Sequence, residues 1–397
     1  MLTRMKVLFS ASPGYGHVHP MMPLAMAYKS AGHEVAWALA EGYSQRAEAA
    51  GFRSFRAGLS EPERWALMAS RFPFIKELSP EDRPPHMFPK MFGAIGAPAI
   101  LADLLTIAEQ WQPDLFVHDV SEFASAIVAA KLGRAHVAHS FGSRLPLQRF
   151  EAAGEEVAPL WLQEGLPVPE YGGTFEHLYL NIWPKSLGDR PDDTPGPWRD
   201  LRPVAFDSVG EETLPAWVDE LPARPTIYVT FGTVFNIDAP FGPVVDALAD
   251  RPVNVILTWG PTGDPSRLGP LPANVHTEQY IPQAALFARG CDLVVSHGGS
   301  GTTLAACSRG IPQLFLPQGA DQFLNAQSSV AAGSALSIPP SQVSSESIGR
   351  AVDRLLEDPS FRRAAAGIAG DMSAMPSPEE TVGAIDALFP SGALPGA

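Results

Sequence analysis

The chain has 397 residues, 45% of them hydrophobic, which is too long for one ordinary core and enough to fill two. Its formal net charge of -15, from 28 Lys+Arg against 43 Asp+Glu, gives no basic face for a nucleic acid backbone or an anionic membrane, so any anionic ligand has to be held locally. The two cysteines, Cys291 and Cys307, lie in apolar surroundings and make neither a disulfide framework nor a zinc cluster, which fits a reducing cytoplasm.

The opening "MLTRMKVLFSASPGYGH" starts with basic residues, but its apolar run is broken by serine and proline too early for a signal-peptide core. No segment approaches the ~18 uninterrupted apolar residues of a membrane span, so a soluble, cytoplasmic protein is expected. Apolar runs predict strands at 5–11, 34–40, 114–119 and 136–141. Between them "PMMPLAMAYKSAG", "YSQRAEAAG" and "FASAIVAAKLG" read as helices, each ending at a glycine suited to a C-terminal cap. Residues 60–98 interrupt this alternation with Met, Phe and Pro of no clean period. They read either as an adaptable wall of an apolar pocket or as an insertion packed on its own domain.

Stretches dense in Pro, Gly and acid follow, leading to an expected interdomain linker at 208–222. The second half predicts strands at 226–232, 254–260, 292–298 and 313–318. Strands apolar throughout, alternating with helices, indicate parallel sheets covered on both faces and therefore two doubly wound α/β domains, 1–207 and 223–375. Residues 376–397 form a C-terminal helix and tail, with Ser377, Pro378 and Glu380 spelling a capping box.

The segment "SHGGSGTTL", 296–304, joins an apolar strand to a helix through small residues and hydroxyls. Such a turn exposes free N–H groups at the positive end of a helix dipole. Gly298, Gly299 and Gly301 let a phosphate approach the backbone, Ser300, Thr302 and Thr303 add hydroxyl donors, and His297 can donate to the same anion. The site reads as a diphosphate cradle, although glycine-rich strand-to-helix turns also serve packing alone.

The surrounding run "EQYIPQAALFARGCDLVVSHGGSGTTLAACSRGIPQLFLPQGADQFLNA", 278–326, resembles the donor-binding segment of the inverting glycosyltransferases that glycosylate small lipophilic acceptors, among them bacterial antibiotic enzymes. The start "SPGYGHVHPMMPLA" is similar to the same family's N-terminal loop, so the likeness spans the whole chain. It implies the GT-B fold: two Rossmann-like doubly wound parallel-sheet domains facing across a cleft, with acceptor in the first and nucleotide sugar in the second.

Carried over by residue, His17 matches the family's catalytic base and Asp119 its acidic partner. An acceptor hydroxyl must lose its proton as it attacks the anomeric carbon; imidazole suits that task, and a carboxylate orients the ring and stabilises imidazolium. His19 and His118 are the competitors. His19 reads as the start of a helix, and His118 should point to the other face of its strand. On the donor side Thr233 matches a hydroxyl that holds the diphosphate, Tyr280 an aromatic ring against the base, and Gln283 a partner of base or ribose. Asp321 and Gln322 match the pair that reads sugar hydroxyls, or alternatively begin a helix, and Asp321 can do both. Phe74, Met87, Phe88, Met91, Phe92 and Phe141 are the candidate acceptor wall.

Family members that use uridine diphosphate sugars carry a glutamate eight residues after the motif histidine; Ala305 stands there, which points to a 2′-deoxyribose and a thymidine diphosphate donor. No metal is expected, since no Asp-x-Asp occurs and the helix start with His297 can offset the leaving diphosphate. The co-substrates are then a nucleoside diphosphate sugar and an apolar aglycone, with no nucleic acid or membrane partner; a homodimer is left open. The sequence also raises two alternatives. A dinucleotide-dependent oxidoreductase would need a third glycine where "GYGHVH" has His19, and a nucleotide-sugar-binding protein without turnover would lack the base.

Overall fold

The computed structural model describes residues 4–188, 195–206, 213–233, 239–261, 263, 264, 266 and 269–394. Contacts divide the chain into two compact units: Met1–Ile182 with Arg190–Val209 and Met375–Ala397, and Trp183–Asp189 with Gly210–Ala374.

The first unit holds a seven-stranded sheet: β1 Lys6–Ser10, β2 Glu34–Leu39, β3 Arg53–Arg56, β4 Leu115–Asp119, β5 Ala135–His139, β6 Leu178–Asn181 and β7 Trp198–Asp200. Its order is β3-β2-β1-β4-β5-β6-β7, every pair parallel. The second unit repeats the plan with β8 Thr226–Thr230, β9 Asn254–Thr258, β10 Val275–Glu278, β11 Leu293–Ser296, β12 Gln313–Phe315 and β13 Ala335–Ser337, in the order β10-β9-β8-β11-β12-β13, again all parallel. The central strands β1, β4, β8 and β11 are almost wholly buried because helices cover both faces.

All eight strands expected from the sequence are present. Short strands at or near the sheet edges, such as β3 "RSFR" and β7 "WRD", carry too much polar surface to read as strands alone. The glycines expected to cap helices do so with positive φ, at Gly32 (94°), Gly51 (74°) and Gly133 (63°).

Residues 83–111 are helical throughout, long and apolar enough to cross a membrane by length and composition. Their apolar face is used inside the first unit, against the helices Leu147–Gln163 and Ala124–Leu132. Pro89, Gly93 and Gly96 conceal this helix from sequence reading; the stretch Pro89–Gly96 is wound as a π-helix.

The expected linker and C-terminal segment each pack on one unit. Residues 208–212 of the expected linker lie outside the described residues, and the rest packs on the second unit: Val218 is buried, with Leu214, Trp217 and Leu221 against the same apolar cluster. The C-terminal helix Pro378–Leu388, begun by the expected Ser377–Glu380 capping box, belongs to the first unit, against the helix Met22–Ser30.

His33 secures that return. Met5 N–H donates to its Nδ1 at 3.2 Å, so Nε2 carries the proton that Asp386 Oδ2 accepts at 3.1 Å, with both side chains buried. Asp386→Ala leaves a buried donor unpaired and should lower the melting temperature by roughly 5–10 °C, whereas Asp386→Asn, which keeps an acceptor oxygen, should cost less. Calorimetry of the three proteins checks this; equal melting temperatures would remove the pair from the account.

Candidate active site

In the first unit, β1 hands the chain to the loop 11–14. Gly14 takes φ 151°, and a Cβ there would lie 2.9 Å from Cδ2 of His17. A short helical turn, Tyr15–Val18, then lifts His17 toward the carboxyl end of β4, where Asp119 is the last residue. His17 Nδ1 lies 2.9 Å from Asp119 Oδ2. A carboxylate only accepts, so Nδ1 carries the proton and Nε2 is left as the basic nitrogen.

The acid is 1% exposed and the histidine 18%. Burial alone would raise the Asp119 pKa, but His17, the hydroxyl of Ser121 at 2.6 Å and the Ser121 N–H at 3.3 Å hold it below the usual carboxylate range. Ser12 N–H adds a fourth donor at 3.3 Å. This buried carboxylate is therefore ionised and fixed.

Strand alternation separates the competing histidines as expected. His118 points to the other face and meets His136 Nδ1 at 3.0 Å. His19 lies in the 3-10 turn His19–Met21, and burial, reinforced by Arg46, lowers its pKa to about 4.

Of the expected acceptor wall, Phe92 and Phe141 flank His17, with ring centroids 5.4 and 4.9 Å away. Phe74 is exposed and Met87 half-buried beside the Met68, Ile75, Met91 and Ile95 cluster. Phe88 and Met91 are core: one helix turn apart, they face inward, Phe88 against Phe123 and Phe150, and support Phe92 from behind.

In the second unit, β11 delivers His297 and the helix Ser300–Ser308 starts at once, with Gly299 as an N-cap that has no side-chain bond. Among the described residues its first N–H groups have no side-chain cap. Glycines make room for the imidazole: a Cβ on Gly232 would lie 2.8 Å from its Cε1, and one on Gly299 2.6 Å from its Nε2. A Cβ on Gly301 would meet nothing within 4 Å, so that face is open to a ligand. Burial lowers the His297 pKa to about 4, against opposing effects of Asp321 and the Thr230 backbone. The ring is thus neutral, so it could serve an anion only as an N–H donor and not as the cation that would offset its charge.

Ser300 Oγ donates to Asp321 Oδ2 at 2.6 Å, and Asn325 Nδ2 reaches that oxygen at 2.9 Å, Ser300 Oγ at 3.0 Å and the Gly298 carbonyl at 2.8 Å. Asn325, missed in the sequence, is the hub that ties the two loops. Asp321 precedes the helix Gln322–Ala331. Gln322 is buried, its Oε1 accepting the N–H groups of Gln318 (2.7 Å) and Gly319 (3.1 Å), so its carbonyl shapes the loop. Gln283 Nε2 meets Tyr228 Oη at 3.1 Å and Thr302 Oγ1 at 3.3 Å, joining the helix start. Tyr280 is 51% exposed on the loop after β10, and Thr233 is exposed after Gly232. Among the described residues no His/Cys/Asp/Glu group has metal-ligand geometry. Ser12, Ser121, Asn325 and Gly232 carry no motif that marks them in the sequence; the serine two residues after Asp119 is the one legible hint, an Asx-type turn.

Models of the Erythromycin biosynthesis protein CIII-like N-terminal and C-terminal domains match residues 26–160 and 243–388. The chain is 32% identical to the L-demethylnoviosyl transferase of Streptomyces niveus, over 94% of this chain and 96% of that one. It is 26% identical to the 3-alpha-mycarosylerythronolide B desosaminyl transferase of Saccharopolyspora erythraea, over 97% and 98%. A crystal structure of a Streptomyces sp. SF2575 glycosyltransferase complexed with thymidine diphosphate superposes with TM-score 0.78 at 26% identity, covering 97% of this chain and all of that one (100%).

Buried neutral histidines make the protein acid-sensitive. His19, His139 and His297 have pKa values of about 4 when folded, burial being the largest cause, against 6.5 for free imidazole. Between these values the unfolded chain binds more protons, so stability should fall as pH drops from about 6.5 to about 4. Melting temperatures across that range test it; His297→Gln should flatten the slope, and a flat parent profile would contradict the burial account.

Proposed function

Because the chain belongs to the Erythromycin biosynthesis protein CIII-like family of antibiotic glycosyltransferases, we propose that it moves a deoxyhexose from thymidine diphosphate to a hydroxyl of an apolar natural-product aglycone, inverting the anomeric carbon. The observation that carries the mechanism is the His17–Asp119 contact of 2.9 Å, which leaves a basic Nε2 among Phe92 and Phe141.

Nε2 takes the acceptor proton as the hydroxyl oxygen attacks C1 of the sugar and the C1–O bond to the diphosphate breaks. Asp119, already ionised, stabilises the imidazolium so formed. One displacement turns an α-linked donor into a β-glycoside. The diphosphate is held by the open N–H groups of the helix Ser300–Ser308, by His297 as a neutral donor, and by Thr233; Asp321, fixed by Ser300 and Asn325, reads sugar hydroxyls. Tyr280 and Gln283 serve the nucleoside. No metal enters this scheme. Two free, buried cysteines suit a cytoplasmic setting.

His17→Ala should lower turnover by ~10² or more with nucleotide affinity nearly unchanged. Transfer at the parent rate to an unactivated alcohol would overturn the assignment, and product NMR reads the anomeric outcome in the same assay.

The nucleotide rests on Ala305 and on the thymidine diphosphate bound by the Streptomyces sp. SF2575 enzyme. Ala305 is buried in one cluster with Tyr228, Ile281 and Phe287, so a glutamate there would be desolvated, and the parent protein is the cleaner test. Calorimetric titration at one salt concentration should show tighter binding of thymidine than of uridine diphosphate; the reverse order would sink the deoxyribose argument and leave the transferase standing.

A further inference from the structure

Arg64 stands in the first turn of the helix Glu61–Arg71, where the dipole disfavours a cation, and only 5% of it is exposed. Its Nη2 donates to the Pro13 carbonyl at 2.6 Å, one residue before Gly14. Nε and Nη1 are buried and find no acceptor among the described residues. The guanidinium lies over Phe92, Cζ 5.5 Å from the ring centroid, and the same ring borders His17.

Holding Pro13 uses one N–H and leaves two nitrogens unexplained. Arginine stays charged in proteins, and Glu61, Tyr43 and Asp119 favour that charge through space, but two buried nitrogens whose N–H groups meet no acceptor among the described residues remain costly. A ligand group bringing negative charge and lone pairs would remove that cost. Arg64 shares Phe92 with the proposed base and grips the loop that carries it, so a ligand group reaching it would lie beside that base.

We propose that Arg64 binds an acidic oxygen of the acceptor, a carboxylate or an ionised enol or phenol near the hydroxyl that receives the sugar, so that the preferred aglycones are acidic apolar ring systems. This rests on reading the first unit as the acceptor domain.

The test compares 1-naphthol with 1-hydroxy-2-naphthoate, which share a hydroxyl on an apolar bicycle and differ by one carboxylate, titrated by calorimetry into the full chain saturated with thymidine diphosphate. The parent should bind the naphthoate about 10-fold more tightly or better, as one charge-assisted hydrogen bond allows, and Arg64→Gln should bring the ratio near one while naphthol affinity holds. A parent ratio near one, a ratio kept in Arg64→Gln, or equal loss of both probes, the mark of a loop clamp only, each overturns the proposal. If Arg64→Gln does not fold, Arg64→Lys replaces it; keeping the charge without the fork, it should give an intermediate ratio, and a full parent ratio there counts against Arg64. Sugar transfer is assayed in parallel: transfer without the carboxylate preference overturns this inference alone, and preference without transfer to any acceptor overturns the transferase mechanism instead.

Discussion

In each sheet the chain leaves two adjacent central strands in opposite directions. From β1 it crosses to β2 on one side, and from β4 to β5 on the other; β8 and β11 do the same in the second unit. The loops at the carboxyl ends of such a pair diverge and leave a crevice that no helix fills, which is where open α/β sheets bind ligands. Asp119 ends β4 and His17 follows β1; His297 follows β11 and Gly232 follows β8. Both candidate sites are consequences of one topological constraint met twice.

The two histidines use that crevice differently because their neighbours differ. Each lies beside a glycine, Gly14 for His17 and Gly232 with Gly299 for His297, where any side chain would crowd the ring. His17 also has a buried carboxylate on Nδ1, which fixes the ring and its tautomer. His297 is enclosed, and burial outweighs the attraction of Asp321, so it stays neutral at physiological pH. A base must change its charge during the reaction, whereas a donor to a diphosphate need only keep its N–H in place. Solvation and the presence or absence of a direct acid thus suit the same side chain to the two proposed roles.

The parts of this design that are legible in sequence are those with a local signature. Apolar runs of four to seven residues mark the central strands, a glycine at each helix end marks the cap, and a strand followed by Gly, Gly and Ser marks the open helix start. What escapes is set by tertiary context. Phe88 and Phe92 look equivalent in the Met- and Phe-rich stretch, yet one turn of helix puts Phe88 in the core and Phe92 against His17. Arg64 reads as a surface residue in "EPERWAL" and Asn325 as a middling helix residue; only the fold shows that one is buried over Phe92 and the other links three groups across two loops. The polar strand β3 offers no period, because partner strand and position in the sheet, not composition, make it a strand.

A chain of net charge -15 that holds a diphosphate has to solve an electrostatic problem, and the solution is local. Beyond about 8–10 Å salt screens the protein's acidic surface, so the potential at the helix Ser300–Ser308 depends on what lies within a few bonds of it. The nearby carboxylate, Asp321, is held by Ser300 Oγ and Asn325 Nδ2, which spread its charge into hydrogen bonds and fix its direction. The N–H groups after Gly299, without a partner among the described residues, then present partial positive charge, and no described side chain would meet a Cβ on Gly301. Lysine or arginine at that place would bind the diphosphate more strongly but would also hold it after the sugar has left. On the proposed reading, backbone dipoles and a neutral imidazole would position the leaving group while allowing it to depart, which favours turnover over tight retention of the product.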